Sequence, residues 1–114
     1  MTLSTKHAPL KDRAALLATV SEAVWQGVVI GIAKRAGWLV YHVHDSRTQE
    51  WGTDPGFPDL VMVRDDRILF VEIKREHGRV ARTQTPWLQA LDLPGIEVYI
   101  WRPSHEDIVR QVLA

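Results

Sequence analysis

The amino-acid sequence predicts an α/β fold in which a mixed sheet of about four strands is flanked by helices. Two patterns carry this prediction: apolar residues recur at helical spacing in some segments, and short runs rich in Val, Ile, Leu and aromatic residues alternate faces as strands do in others. After a short first helix, the order reads helix, strand, strand, strand, helix, strand, helix. The 114 residues, 46% of them apolar, suit a single domain over residues 1–114.

The first third of the chain reads as an arm followed by two helices. Residues 1–20 are expected to lie outside the core, as an arm that ends in a short helix rich in good helix formers. A second helix begins after Ser21, a plausible N-cap, and ends at Gly37. Glu22 lies about 20° past the edge of its apolar arc, so the carboxylate could face the rim of the core or simply occupy the first turn, where the helix dipole favours an acid. The predicted arc comprises Val24, Trp25, Val28, Val29, Ile32 and Ala36.

A strand is predicted next, from Trp38 to His44, and a polar loop over residues 45–57 follows it. His42 and His44 share one face of this strand. They could bind a metal, assist a phosphate or a water at an active site, or reach solvent at the strand end. Zinc is the least favoured of these, because the chain has no cysteine and no third histidine lies nearby in sequence. In the loop, Ser46 and Arg47 could contact a phosphate.

Two strands joined by a tight turn organise the rest of the prediction. They cover residues 59–64 and 68–74, and simple hairpin register places Asp59 beside Glu72. Side chains alternate faces along a strand, so Glu72 and Lys74 point the same way. The second strand is apolar on both faces until its end, which predicts a central position in the sheet. Two carboxylates and one ammonium would therefore converge, and carboxylate oxygens suit a hard divalent cation such as Mg²⁺.

A basic loop and a helix come after the hairpin. The loop, residues 75–82, carries Arg75, Arg79 and Arg82, which together with Arg47 are the candidate phosphate contacts, although a solvated loop explains any single one of them. The helix is expected to start near Thr83, because Pro86 is tolerated only in a first turn. Gln84 then lies at the helix opening, where amide groups and the dipole favour an anion.

The chain closes with one more strand and one more helix. The strand covers residues 96–101, Pro103 ends it, Ser104 can cap, and the last helix runs over residues 106–113.

Composition narrows the class of protein. Fourteen Lys plus Arg balance fourteen Asp plus Glu, which argues against a strongly non-specific nucleic-acid binder, so any basic surface must be local. The chain has no cysteine, no apolar run typical of a signal peptide and no stretch long enough to span a membrane. We therefore expect a soluble protein of the reducing cytoplasm.

Four motifs in order, GFPDL, VEIKREHGR, QxxWL and WRPS, resemble the virus-type replication-repair nuclease (VRR-NUC) domain of the PD-(D/E)XK nuclease superfamily, over roughly residues 21–103. The resemblance implies a restriction-endonuclease-like core. It implies that Asp59, Glu72 and the backbone carbonyl of Ile73 hold the metal, and that Lys74 assists the attacking water and stabilises charge. Glu22 corresponds to the acidic residue in the first helix of the family's domain, which would be a further catalytic residue and metal ligand. Gln84 corresponds to a glutamine beside the site. Pro86 departs from similar sequences, in which this helix starts near Ala81.

The function implied by the resemblance is Mg²⁺-dependent or Mn²⁺-dependent hydrolysis of DNA phosphodiester bonds. Stand-alone domains of this size resemble homodimeric endonucleases of phage origin that act in DNA repair on branched DNA such as four-way (Holliday) junctions, in the cytoplasm of a bacterial host. Two alternatives stay open: a catalytically idle nucleic-acid-binding or protein-binding module with the same fold, and a restriction-type endonuclease that reads a short sequence in linear duplex.

Overall fold

The computed structural model describes residues 10–43 and 55–114 and confirms the α/β class. The N-terminal arm before residue 10 and three residues of the predicted strand end and loop, His44, Ser46 and Arg47, lie outside the described residues. The elements are α1 (Leu10–Ala18), α2 (Glu22–Arg35), β1 (Leu39–His42), β2 (Leu60–Arg64), β3 (Arg67–Ile73), α3 (Gln84–Leu91), β4 (Glu97–Trp101) and α4 (Glu106–Leu113), with a 3-10 turn at Pro103–His105.

The four strands form one mixed sheet in the order β1-β2-β3-β4. β1 and β2 are antiparallel, as are β2 and β3, whereas β4 runs parallel to β3. The predicted central position of the second hairpin strand is confirmed, since β3 is hydrogen-bonded on both edges. Leu60 pairs with Val71, so the residue before β2, Asp59, lies level with Glu72.

α2 covers one face of the sheet and forms the core with it. Its buried residues are Trp25, Val28, Val29, Ile32 and Ala33. They pack on the inward residues of the two central strands, and α4 completes the cluster with Val109 and Leu113. Each fully buried side chain of this kind contributes about 1.5–3 kcal/mol to folding.

The buried face of α2 is rotated by part of a turn from the apolar arc that the sequence predicts. Val24 is 44% exposed, and Ala33 is buried in its place. At 100° per residue Val24 lies about 110° from the centre of the buried set, on the outer side of the helix. Glu22 falls between the directions of Val29 and Ala33, so it projects from the first turn on the side that faces the sheet.

Two tryptophans fasten the helices to the sheet. The indole N–H of Trp25 in α2 donates to the carbonyl of Trp101 at 2.9 Å, and that of Trp38 donates to the carbonyl of Leu113 in α4, also at 2.9 Å. Both hydrogen bonds are buried, and a buried donor or acceptor left without its partner lowers the free energy of unfolding by about 1–3 kcal/mol. The first of them holds the N-terminal half of α2 near the point where β3 and β4 end.

α3 lies on the opposite face of the sheet and is fixed at its start. The ring of Phe57 packs edge-on against Phe70 of β3 and Trp87 of α3, with centroid distances of 5.9 and 5.0 Å. Gly56, just before it, has a φ of +102° and lies against the backbone of Thr83, the residue that precedes α3. The start of α3 at Gln84, after Thr83, agrees with the position predicted from Pro86.

The N-cap of the last helix differs from the prediction. Pro103 begins a 3-10 turn that takes up three residues, so the cap of α4 is His105 rather than Ser104. The backbone N–H of Ser104 instead donates to the carboxylate of Glu76 at 3.1 Å.

In the ranges described, no individual helix has the length and apolar character needed to cross a bilayer, while α1 and α2 taken as a pair bent by 99° meet that test on length and composition.

We expect Gly56→Ala to lower the free energy of unfolding by about 2 kcal/mol or more, because a methyl group there would overlap the Thr83 carbonyl at a backbone angle that L-residues avoid. Gly27→Ala is the matched control. A methyl group at this helical position meets no described atom within 4 Å, so the substitution should stabilise by about 0.5–1 kcal/mol. Urea unfolding of both variants measures the effects, and a neutral Gly56→Ala would show that this close approach does not hold α3.

Candidate active site

Asp59 lies where the chain enters β2, after the buried Pro58. One carboxylate oxygen, Oδ2, accepts a hydrogen bond from the backbone N–H of Ile73 at 2.8 Å. This bond ties the beginning of β2 to the end of β3. It uses one of the two oxygens and fixes the carboxyl group beside the residue that precedes Ile73, which is Glu72.

Glu72 is the buried centre of the group, with 1% of its surface exposed. Its Oε2 accepts a hydrogen bond from the Gln84 amide at 2.6 Å and lies 3.1 Å from the Lys74 ammonium. Its Oε1 is buried and has no hydrogen-bond partner among the described residues. Leaving such an oxygen unpaired is costly, so this atom is positioned to bind something other than the protein.

The environment of Glu72 disfavours its negative charge. Burial raises the pKa of Glu72 to about 7, and the nearby charge of Asp59 adds to the rise, while Lys74 opposes it. Near neutral pH, Glu72 therefore favours taking up either a proton or a cation.

Lys74 follows the last residue of β3 and remains largely buried, 9% exposed. Its backbone N–H continues the pairing with β4 by donating to the Trp101 carbonyl at 3.1 Å. Its ammonium is held by Glu72 and lies 4.0 Å from Oε1 of Glu22. The cation is thus kept at one position between two elements, with little freedom to move.

Glu22 comes to this group from the first turn of α2. It is placed as a partner of Lys74, and its side chain is 52% exposed. Within residues 10–43 and 55–114, no three His, Asp or Glu side chains are close enough together to hold a metal. The structure therefore brings Asp59 and Glu72 together and places Glu22 beside the lysine; the role of Glu22 as a metal ligand stays a prediction.

Gln84 reaches the site from the first residue of α3. Its amide N–H donates to Glu72, and its amide oxygen accepts from the backbone N–H of Ala81 at 2.7 Å. Both ends of the side chain are occupied, so the glutamine holds Oε2 of the Glu72 carboxylate and leaves Oε1 without a hydrogen-bond partner among the described residues.

The donor set fits a hard divalent cation. It offers the unpaired Oε1 of Glu72 and the second oxygen of Asp59. The backbone carbonyl of Ile73, the residue between Glu72 and Lys74, is the third donor. Mg²⁺ is commonly bound by one or two carboxylates and completes its shell with waters and a substrate phosphate. Two protein carboxylates are sufficient for a site of that kind.

The predicted phosphate contacts lie close to this group in sequence. Arg75, Arg79 and Arg82 are all exposed, in the segment that links Lys74 to Gln84. Arg47 lies outside the described residues. The segment thus carries its cations on the surface between two residues of the site.

Two contacts were missed by the sequence analysis. His42 is paired with Gln26 of α2, with 2.9 Å between their Nε2 atoms, and its part at a metal or a phosphate stays a prediction. Arg102 binds the turn after Lys74 through its guanidinium. No local pattern predicts either contact, because each joins segments far apart in sequence; only the WRPS motif marked the neighbourhood of Arg102.

Comparisons with known proteins identify the family and the fold. The family model described as "VRR-NUC domain" matches residues 37–104, which include every site residue above except Glu22. A solved structure named "VRR_NUC domain protein" is similar in fold, with a TM-score of 0.62 at 21% sequence identity, and the match covers 82% of this chain and 85% of that one. A search of curated proteins gave no match.

We expect the stability of the metal-free protein to fall as pH rises from about 5 to 8. The folded protein retains a proton on Glu72 up to a pKa of about 7, against 4.5 for the ordinary group, so ionising it disfavours the fold by up to about 3 kcal/mol. Glu72→Gln removes this effect. Its melting temperature in EDTA should rise relative to wild type as pH increases, whereas Asp66→Asn in the exposed β2–β3 turn should follow wild type. Parallel pH curves for all three proteins would contradict the assigned pKa.

Asp59→Asn should leave the metal-free melting temperature unchanged or raise it. The asparagine keeps an oxygen that can accept from the Ile73 N–H, and it removes one of two repelling charges. Thermal unfolding in EDTA at pH 8 measures this. A clear loss of stability would count against the clustering of the two carboxylates.

Proposed function

Because the chain belongs to the VRR-NUC family of nucleases, we propose that it is a metal-dependent endonuclease that hydrolyses DNA phosphodiester bonds, with a preference for branched DNA such as four-way junctions. The observation that carries the proposal is the buried Glu72 carboxylate, which has one unpaired oxygen beside Asp59 and Lys74. A module that only binds DNA gains nothing from burying an acid in this way.

In the proposed mechanism Asp59, Glu72 and the Ile73 carbonyl would hold Mg²⁺ or Mn²⁺. When bound, such an ion would lower the pKa of a water and neutralise charge on the phosphate. Lys74, fixed at 3.1 Å from Glu72, orients the attacking water and stabilises the negative charge that develops as the new P–O bond forms and the old one breaks. Gln84 keeps the Glu72 carboxylate in the orientation that presents Oε1. Glu22 balances the charge of Lys74 and is the candidate third acid.

Binding of DNA is assigned to the basic segment that follows Lys74. Arg75, Arg79 and Arg82 are exposed there, next to the site, and Arg47 is the further candidate from the sequence. The chain has no net charge, so this local cluster must supply the attraction to phosphate, and binding should weaken steeply with salt.

We further propose that two copies act together, in the cytoplasm of a bacterial host and as a phage-encoded or host-encoded repair enzyme. One chain offers one active site, and symmetric cutting of a two-fold junction requires two. Leu39 and Tyr41 of β1, which are 76% and 54% exposed, and Val63, which pairs with Leu39, give an apolar surface on the sheet that a second copy could cover.

Asp59→Ala and Glu72→Ala should each abolish detectable cleavage, because loss of a metal ligand removes several kcal/mol of transition-state stabilisation, or about a thousandfold in rate. The measurement incubates purified protein and Mg²⁺ with labelled linear, flapped and four-way DNAs. Asp66→Ala in the exposed turn is the control and should cut as wild type does, and EDTA should stop all cutting. If the wild-type protein cuts none of these DNAs, the remaining interpretation is a catalytically idle binding module. Sequence-dependent cutting of linear duplex would instead favour a restriction-type enzyme.

A further inference from the structure

A single guanidinium holds the turn that follows Lys74. Nη1 of Arg102 donates to the backbone carbonyls of Arg75 at 2.9 Å, Glu76 at 3.2 Å and Gly78 at 2.7 Å. Within the turn, the N–H of Gly78 donates to the Arg75 carbonyl at 3.1 Å. The carbonyls of this turn therefore converge on one side chain that comes from the other end of the sequence.

The chain around Arg102 adds further bonds to the same region. The Trp101 carbonyl accepts from the N–H of Lys74, and the N–H of Ser104 donates to the Glu76 carboxylate. The backbone N–H of Arg102 itself donates to Nδ1 of His105 at 3.0 Å, which fixes the start of the arginine side chain. Three residues of the WRPS motif, Trp101, Arg102 and Ser104, thus fasten Lys74 and the turn after it to the end of β4.

The arrangement separates the backbone of the turn from its charged side chains. The carbonyls are bound by the half-buried Arg102, whereas the side chains of Arg75, His77 and Arg79 are exposed. In the described part of the chain, Arg102 forms no ion pair with a carboxylate, and its Nη1 is engaged by carbonyls of the turn. A loop held in one conformation loses less entropy when it binds, and that gain appears as affinity.

We infer that Arg102 is a positioning residue, which holds residues 75–78 so that Arg75 and Arg79 meet the phosphates of the DNA. This deepens the proposed function and rests on it. The acceptors are three neutral carbonyls of the very turn that carries the exposed cations, and this specific connection distinguishes the inference from a general contribution of Arg102 to stability.

A double-mutant cycle tests the inference, because residues that act through one another give non-additive effects. The dissociation constant for a labelled four-way DNA is measured by fluorescence anisotropy in EDTA, where no cleavage occurs. We expect Arg102→Met to weaken binding by about tenfold in the wild-type background and by less than about twofold in the Arg75→Ala/Arg79→Ala background. The control, Arg35→Met at the exposed end of α2, should change neither. Equal losses in both backgrounds would overturn the inference.

Trypsin gives a second readout that needs no DNA, since it cleaves after arginine. Cleavage after Arg75 and Arg79 should be several-fold faster in Arg102→Met than in wild type, at temperatures where both are folded. Arg102→Gln, whose shorter amide cannot span the three carbonyls, serves if the methionine variant does not fold. Unchanged cleavage would overturn the inference even if the protein cuts DNA. A wild-type protein that neither binds nor cuts DNA would overturn the proposed function, and with it the assigned role of Arg102, whatever the trypsin result.

Discussion

The burial of one carboxylate, that of Glu72, is the constraint on which the rest of the site depends. A charge at the end of a strand that is apolar on both faces costs several kcal/mol unless partners surround it. Here Lys74 reaches Glu72 from just past the end of the same strand and Gln84 reaches it from α3, whereas Asp59 adds a second negative charge instead of relieving the first. A fold selected only for stability would avoid the last of these. The cost is understandable if the pair serves to bind a cation.

The scaffold and the site use opposite faces of the same strands. Toward α2 the sheet presents an apolar face, which forms the core. Toward α3 the same strands carry Phe70 and then Glu72, and the ring of Phe57 links this face to Trp87. Stability therefore derives mostly from the α2 side, and the acidic group can be repulsive without threatening the fold. Lys74 joins the two sides, because it lies past the end of β3, where it reaches both Glu72 and the first turn of α2.

The sequence was sufficient for those features that follow from local rules. Alternation along the strands and the length of the turn predict the register that puts Asp59 level with Glu72, and the missing N–H of Pro86 predicts the start of α3 at Gln84. The sequence was insufficient for contacts between segments that lie far apart along the chain. Helical spacing treats Val24 and Ala33 alike as apolar residues, and only the position of the sheet decides that the first is exposed and the second buried. The place of Glu22 beside Lys74, instead of within a three-acid group, depends on the same packing.

A net charge of zero is compatible with nucleic-acid binding in this chain, because the acidic side chains of the site and the basic side chains of the segment after Lys74 lie in different environments. Two acids of the site are held within the fold, Glu72 by burial and Asp59 by the Ile73 N–H, whereas Glu22, with its side chain 52% exposed, lies beside the Lys74 ammonium. The arginines that follow Lys74 are exposed, while the carbonyls between them are turned toward Arg102. A phosphate near this turn would meet cations first and the acidic pair only once a divalent ion lies between them. In such an arrangement the exposed arginines would bind DNA without a metal, whereas a divalent ion would be needed before a phosphate could approach the carboxylates, so binding and chemistry would depend on different charges.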